Sequence, residues 1–418
     1  MKSYIEERFA NYWKCLEEDG SSLPHSVVAN YTLVKLSTRC NIGCTYCYWF
    51  RDNEVYDKPK ILTEESEEHF LNRLEKHITL HNVSIFFLLF HGGEPLLFGK
   101  KRFKNLCTKA RSLEAKLGFT LKLAVTTNGL LIDNEWIDIF LHYRVNVTLS
   151  IDGPATIHDK VRIDFKGAGT HTRVVAALSN LRAHGIEPGV LAVCDPNSDA
   201  ESVCRYFADE LALTEFDILV PDATHEDSPV PIHDYYIKLF DVWYDDYLPR
   251  GVRIRYLETL LQGLLGVEGH VESIGYGPNT TVTLLTDGSL EPLDVLRTVG
   301  DGFTRTCINV ANNDLQDIQR DPLWREVLRS SLTLPTECKT CPYNVVCGGG
   351  HIGTRWSKSR RFDNPSVYCD SIKKILAHIW QRLSEDVLIS IDDDELQPLL
   401  IGLQQANKMS PVIFAGVL

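Results

Sequence analysis

The stretch LSTRCNIGCTYCYWF, Leu36 to Phe50, sets Cys40, Cys44 and Cys47 in a C-x3-C-x2-C array directly after an apolar run. A tetrahedral zinc site wants four ligands and usually takes paired C-x2-C knuckles with a matching second pair. A cubane iron–sulfur cluster has four irons, so three thiolates leave one iron open to a ligand that the chain does not supply. A zinc knuckle or three unrelated thiols is the alternative that spacing alone leaves.

Working outward, the chain of 418 residues is 44% hydrophobic and 24% charged, enough to bury a large core in two or more units. Its formal net charge of −13 argues against holding phosphate backbones, because nucleic-acid binders concentrate positive charge. No apolar run reaches the roughly 18 residues that a membrane span requires, and MKSYIEERFANYWKC lacks the apolar core of a signal peptide. The expectation is a cytoplasmic protein with no nucleic-acid and no membrane partner. In a reducing compartment its 12 cysteines read as metal ligands and buried thiols rather than a disulfide framework. Cys338, Cys341 and Cys347 form a second group, while Cys15, Cys107, Cys194 and Cys204 sit in helical or strand patterns as small buried hydrophobes.

From Tyr31 onward short apolar runs alternate with amphipathic stretches. The expected strands are YTLVKLS (31–37), SIFFLLF (84–90), LKLAVTT (121–127), RVNVTLSI (144–151), GVLAVCD (189–195) and FDILVP (216–221). Helical patterns such as 63–78 and 172–185 lie between them, so the alternation predicts βαβ units on a parallel sheet, as an open or closed barrel. Chemistry in such barrels sits at the C-terminal ends of the strands. STRC follows the first strand, HGGEPLL (91–97) the second, TNG (127–129) the third, and SIDGP (150–154) ends the fourth. Residues 232–248 and 255–266 read as bridging helices, and a loop-rich cysteine-bearing segment (281–369) follows, of the kind a metal holds together.

The loop resembles the signature of the radical S-adenosylmethionine (SAM) enzymes. That resemblance implies that the open iron chelates the amino and carboxylate groups of SAM, whose reductive cleavage yields a 5′-deoxyadenosyl radical. Other rim residues are similar to the family's one by one. Gly92, Gly93, Glu94 and Pro95 resemble the GGEP motif whose backbone receives the methionine amino group. Ser150 and Asp152 resemble the pair that meets the ribose hydroxyls, and Arg162 the arginine that pairs with the SAM carboxylate. Tyr46 resembles the aromatic that lies near the adenine. Taken singly, a GG pair is more often just a turn, and each polar residue has a structural alternative.

Cys338, Cys341, Cys347 and Cys369 form C-x2-C-x5-C with one distal cysteine, a spacing that suits zinc or iron–sulfur. The segment resembles the SPASM extension of radical SAM peptide-modifying enzymes, which implies an auxiliary 4Fe–4S cluster on these four. A full SPASM domain has a second auxiliary cluster, and here the chain departs from the pattern. The expected G-x4-C reads Gly288 to Leu293, no cysteine occurs between Cys204 and Cys307, and His351 stands where a further cysteine is usual. One auxiliary cluster is therefore expected, with Cys307 unassigned. Asp294 resembles the aspartate that serves sulfatase maturases as the base; its alternative is a surface carboxylate after the turn TDGSLE.

The resemblance covers most of residues 31–370 and implies an α/β fold: a partial (β/α)6 TIM-like barrel with a C-terminal loop-rich, SPASM-like iron–sulfur domain. The expected division is an N-terminal helix (1–30) with Tyr4, Phe9, Trp13 and Leu16 on its apolar side, a barrel (31–230), bridging helices (231–268), the SPASM-like domain (269–370) and a helical tail (371–418) with an acidic run from Asp392 to Glu395. SIDGPATIHDKVRIDFKGAGTH, TDGSLEPLDVLR, CPYNVVCGGGH and FDNPSVYC are most similar to the cyclophane-forming peptide maturases. That implies a ribosomally made precursor peptide as partner, an external electron donor such as flavodoxin or ferredoxin, abstraction of a side-chain β-hydrogen, and a C–C bond to an aromatic ring. The alternatives are an anaerobic sulfatase maturase making formylglycine and a non-catalytic iron–sulfur or zinc protein that binds peptide. The resemblance brings with it, in many peptide maturases, a fused leader-binding domain of roughly 80 residues, and the expectation from the 30 residues before Tyr31 is that they are too few to form one. Residues 221–236 are the expected substrate wall.

Overall fold

The computed structural model describes residues 9–17, 27–267, 271, 274–275, 277–300 and 302–390. Tyr4 and the tail from 391 to 418, with its acidic run, lie outside the described residues. The strands in chain order are β1 (Tyr31–Ser37), β2 (Ile42–Cys44), β3 (Ile85–Gly92), β4 (Thr120–Thr127), β5 (Val145–Ser150), β6 (Arg162–Asp164), β7 (Gly189–Val193), β8 (Glu215–Leu219), β9 (Arg253–Ile254), β10 (Thr283–Leu284) and β11 (Leu290–Glu291). All six strands expected from the sequence are present, as β1, β3, β4, β5, β7 and β8. The chain divides into two compact units, one of residues 1–191 and 278–332, the other of residues 192–277 and 333–418.

In the first unit β1, β3, β4, β5 and the start of β7 pair in parallel in that order. Helices Glu64–His81, Lys100–Leu117, Asn134–Tyr143 and His171–Ala183 make the crossovers, the βαβ pattern of a partial TIM-like barrel. Their ends follow local chemistry. Thr63 caps the first by accepting the Ser66 N–H at 3.0 Å, and Glu64, Glu65 and Glu67 complement the positive end of the helix dipole. Asp133 caps the third through Trp136 N–H, also at 3.0 Å. Phe86, Leu88 and Phe90 of β3 meet Leu121, Leu123 and Val125 of β4 in the core.

The segment after the bridging helices groups with the barrel strands. β10 pairs in parallel with β1, and β11 returns antiparallel to it, so 278–332 belongs with the barrel strands rather than with the second cysteine group. The segment satisfies backbone groups that the outer side of β1 would otherwise leave open: Val282 O accepts the Leu33 N–H at 2.9 Å.

The second unit holds β8 and β9, paired in parallel, and the two expected bridging helices, His233–Val242 and Arg255–Leu264. Helix Cys369–Ser390 lies along the first of these. Asp241 accepts from His378 at 2.7 Å and from Arg382 at 2.6 Å, beside buried Leu239, Phe240, Ile375 and Ile379. Among the described residues no helix is long and apolar enough to cross a membrane.

Candidate active site

The C-terminal ends of β1, β3, β4 and β5 carry the first constellation. β2, formed by Ile42–Cys44, pairs antiparallel with β6, which sets Cys44 opposite Arg162. Arg162 Nη1 stands 3.8 Å from the Cys44 sulfur, and Asn128 Nδ2 stands 3.8 Å from the Cys40 sulfur. Asn128 also donates to Asn41 Oδ1 at 2.7 Å, tying the end of β4 to the loop. Burial pushes the Cys40 thiol up to about 12 and the Cys44 thiol to about 11. Three half-buried thiolates side by side thus need positive charge to exist, and the irons of a cluster supply it.

The glycines of HGGEP have a definite job. Gly92 has φ +138°, and a Cβ there would lie 2.2 Å from the Ser37 carbonyl oxygen. At Gly93 it would lie 2.3 Å from the Arg39 oxygen and 3.0 Å from the Cys40 nitrogen. The end of β3 therefore packs backbone to backbone on the residues that launch the cysteine loop, and Gly93 N–H and Glu94 N–H donate to Ser37 and Arg39 at 2.9 and 2.8 Å. The Glu94 side chain turns inward. Its carboxylate accepts from Thr127 Oγ1 (2.7 Å), Leu96 N–H (2.9 Å) and Asn128 N–H (3.0 Å), and burial lifts it to about 7. The sequence reading placed Glu94 among the SAM contacts; in this structure its carboxylate brackets two strand ends.

Asp152, Arg162 and Tyr46 come together in one set. Oδ2 of Asp152 accepts from Tyr46 Oη at 2.6 Å and Arg162 Nε at 2.8 Å, and the guanidinium lies 5.4 Å from the Tyr46 ring centroid. His158 supports them. Burial, with Arg162 adding to it, lowers His158 to about 4, so its neutral Nδ1 accepts the Asp152 N–H at 3.2 Å while Nε2–H donates to Thr170. Thr170 Oγ1 passes the chain on to the Arg162 carbonyl at 2.9 Å. Ser150 ends β5 half-exposed, paired with Leu191.

A second buried set in this unit was only partly legible in the sequence. Asp294 opens the turn Asp294–Val299 and is 4% exposed, not a surface carboxylate. Its Oδ2 accepts from Lys35 Nζ and from Tyr48 Oη, the latter at 2.5 Å. Lys35 also donates to His91 Nδ1 at 3.0 Å and lies 4.6 Å over the Trp49 ring. Burial works to raise Asp294, but Lys35 and His91 outweigh it and hold the carboxyl down at about 2. Burial and Lys35 together push His91 down to about 3. Next to this set, Arg297 bridges Asp52 (2.9 Å) and Glu291 (2.6 Å) and lies 4.6 Å from the Trp49 centroid. The signal for Lys35 was a lone charge inside the apolar strand YTLVKLS. Nothing in the sequence paired it with a residue 259 positions away.

The second unit gathers the second thiol set. Cys338, Cys341, Cys347 and Cys369 line one cavity with Tyr343, Ser366 and Lys373. Gly348, Gly349 and Gly350 all have positive φ, and a Cβ on Gly350 would meet Ser366 at 2.6 Å, so the triple glycine folds the chain back against the residues before Cys369. Burial pushes Cys347 to about 12 and Cys338 to about 11. Cys307 is exposed and Leu293 is buried at 1%, while Cys15, Cys107, Cys194 and Cys204 are all buried. Among the described residues no three His, Cys, Asp or Glu side chains converge on a single ion; a cubane, whose ligands bind separate irons, asks for no such convergence. Residues 221–232 are held within this unit, with His225 N–H and Nε2 bonded to the Trp356 and Pro365 carbonyls.

Residues 34–201 match the Radical SAM superfamily. This part of the chain is a radical SAM domain. The chain is similar over 364 residues, at 29% identity, to a cysteine-type anaerobic sulfatase-maturating enzyme of Clostridium perfringens, covering 83% of this chain and 95% of that enzyme. A serine-type enzyme of Bacteroides thetaiotaomicron is 22% identical, over 88% and 96%. Native anSMEcpe with bound AdoMet and the Cp18Cys peptide superposes with a TM-score of 0.73 and 26% identity, over 85% of this chain and 98% of that one. Streptococcus suis SuiB bound to the precursor peptide SuiA shares the fold, with a TM-score of 0.60 and 17% identity over 82% and 77%. Radical SAM and SPASM-like proteins use a 4Fe–4S cluster, SAM and auxiliary clusters, and the two thiol sets fit those groups.

Proposed function

We propose that this radical SAM protein is a peptide maturase that joins a side-chain carbon of a ribosomally made precursor to an aromatic ring. Cys40, Cys44 and Cys47 hold the cluster that binds SAM, with Tyr46, Gly92, Gly93, Glu94, Ser150, Asp152 and Arg162 shaping its site. Cys338, Cys341, Cys347 and Cys369 hold the auxiliary cluster. When bound, these groups supply a 5′-deoxyadenosyl radical and an electron acceptor. The side chains of the chain itself orient and deprotonate. Glycine at 92 and 93 fixes the cysteine loop on β3, and the buried Asp152–Arg162 pair fixes the opposite wall. After the side-chain carbon bonds to the ring, the ring must lose one proton and one electron to become aromatic again. Asp294 takes the proton.

The observation that carries this reading is Leu293 beside Asp294: a buried apolar side chain stands where the sequence comparison with sulfatase maturases expects a cluster thiol, next to a retained ionised carboxylate. The base is kept and the first auxiliary cluster is not. Formylglycine formation is the second reading, favoured by the 29% identity that spans 95% of the C. perfringens enzyme.

Anaerobic co-expression with each short peptide encoded beside the gene separates the two. Loss of two hydrogens, with no backbone fragments inside an aromatic-containing segment, is the expected result. Conversion of a Cys or Ser in a sulfatase-derived peptide, with the neighbouring peptides unmodified, would establish the second reading instead. Asp294→Asn is expected to cut ring formation by about a hundredfold while 5′-deoxyadenosine still forms.

A further inference from the structure

Resting on Asp294 as the base, the geometry around it assigns a role to a residue with no part in binding either cluster. Both bonds to the Asp294 carboxylate fall on one oxygen. Lys35 Nζ and Tyr48 Oη each donate to Oδ2, and among the described residues nothing donates to Oδ1. The Asp294 side chain keeps 6% exposure, so it is not wholly sealed from its surroundings. A carboxylate with one oxygen tied by two donors and the other open takes a further proton at the open oxygen.

Lys35 is built for the holding task. Its side chain is 0% exposed, it projects from strand β1, and three aromatic or imidazole rings enclose it: Tyr48, Trp49 and His91. An ammonium in that setting persists only beside a countercharge, and a carboxylate there persists only beside an ammonium. We propose that Lys35 is the positioning residue of the proton-accepting carboxylate: with Tyr48 it fixes Oδ2 of Asp294 and leaves Oδ1 as the oxygen that takes the substrate proton. Lys35 does not relay that proton. The other acceptors it meets are Tyr48 Oη at 3.4 Å, whose own proton is already given to Asp294, and neutral His91, which burial and the ammonium itself make a very weak base. In the step, the ring C–H bond breaks, its proton goes to Oδ1, its electron pair restores the aromatic ring, and the surplus electron leaves to an iron–sulfur acceptor.

The test uses the holoprotein and the neighbouring-gene peptide that gives the ring, and reads ring product per 5′-deoxyadenosine. Lys35→Met is expected to lower this ratio about tenfold to a hundredfold near neutral pH, with partial recovery as pH rises and Asp294 ionises without its partner. Lys35→Arg restores part of it. Lys35→Met in the Asp294→Asn background lowers it no further, because both changes act on one group. Infrared difference spectra between Lys35→Met and the double variant, recorded without peptide, are expected to show a protonated carboxyl where wild type against Asp294→Asn shows a carboxylate. Lys35→Gln serves the same comparison if the methionine variant does not fold. A wild-type ratio in Lys35→Met with a low one in Asp294→Asn overturns the Lys35 assignment and leaves the base in place. A wild-type ratio in Asp294→Asn overturns the base reading itself.

Discussion

Replacing Arg297 by Met should destabilise the first unit severely, although among the described residues Arg297 bonds to carboxylates and not to a cysteine. Its guanidinium is 1% exposed and reaches two carboxylates that are just as buried, Asp52 at 1% and Glu291 at 2%. Losing the shared cation strands both. Asp52 keeps the Glu54 N–H at 3.0 Å and Glu291 keeps Thr304 Oγ1 at 2.8 Å, which softens but does not cancel the loss. Breaking a buried ion pair from one side costs about 3–5 kcal/mol. With a urea slope of about 3 kcal/mol per molar, the midpoint falls by about 1 M or more. The measurement is an anaerobic urea titration of the holoprotein, followed by iron–sulfur absorbance and circular dichroism together. The pH dependence gives a second check. Burial lifts Glu291 above the usual carboxylate value, with Arg297 and Thr304 opposing, and the variant loses the larger of those opponents. A group with a raised folded pKa adds stability below its unfolded value and loses it as pH rises through the folded one. The gap between variant and wild type should therefore be widest near neutral pH and narrow toward about pH 5. A midpoint shift below about 0.3 M at neutral pH would refute the view that this network holds the cysteine loop against the turn bearing Asp294.

Gly93→Ala places a methyl 2.3 Å from a backbone oxygen, so the cysteine loop must shift; iron at the SAM-binding site should be lost while the auxiliary cluster's electron paramagnetic signal survives. Glu94, lifted to about 7, contributes stability below its unfolded value that fades as pH rises through about 7; Glu94→Gln should flatten that part of the melting-temperature profile and cost about 1–2 kcal/mol by turning an amide toward the Asn128 N–H. Anaerobic reconstitution should give about eight irons per chain, falling to about four in Cys40→Ala and in Cys338→Ala; about twelve would contradict a single auxiliary cluster.

The sequence by itself determined the elements and the thiol sets. β1 coincides with the predicted YTLVKLS, and the other five expected strands are displaced by at most two residues at either end, because apolar runs bounded by turn residues depend on near neighbours. The C-x3-C-x2-C spacing is local in the same sense. Tertiary structure decided what depends on distant partners. Only the pairing of β10 with β1 assigns 278–332 to the barrel unit, and only the fold sets Asp294 against Lys35 and Arg297 against Asp52. Glu94 shows the same limit. HGGEP is conspicuous in the sequence, yet its carboxylate points inward because Thr127 and Asn128 arrive from a neighbouring strand with donors that need an acceptor. A buried charge is placed by whichever group can neutralise it, and that group is chosen by three-dimensional proximity, which spacing along the chain does not encode.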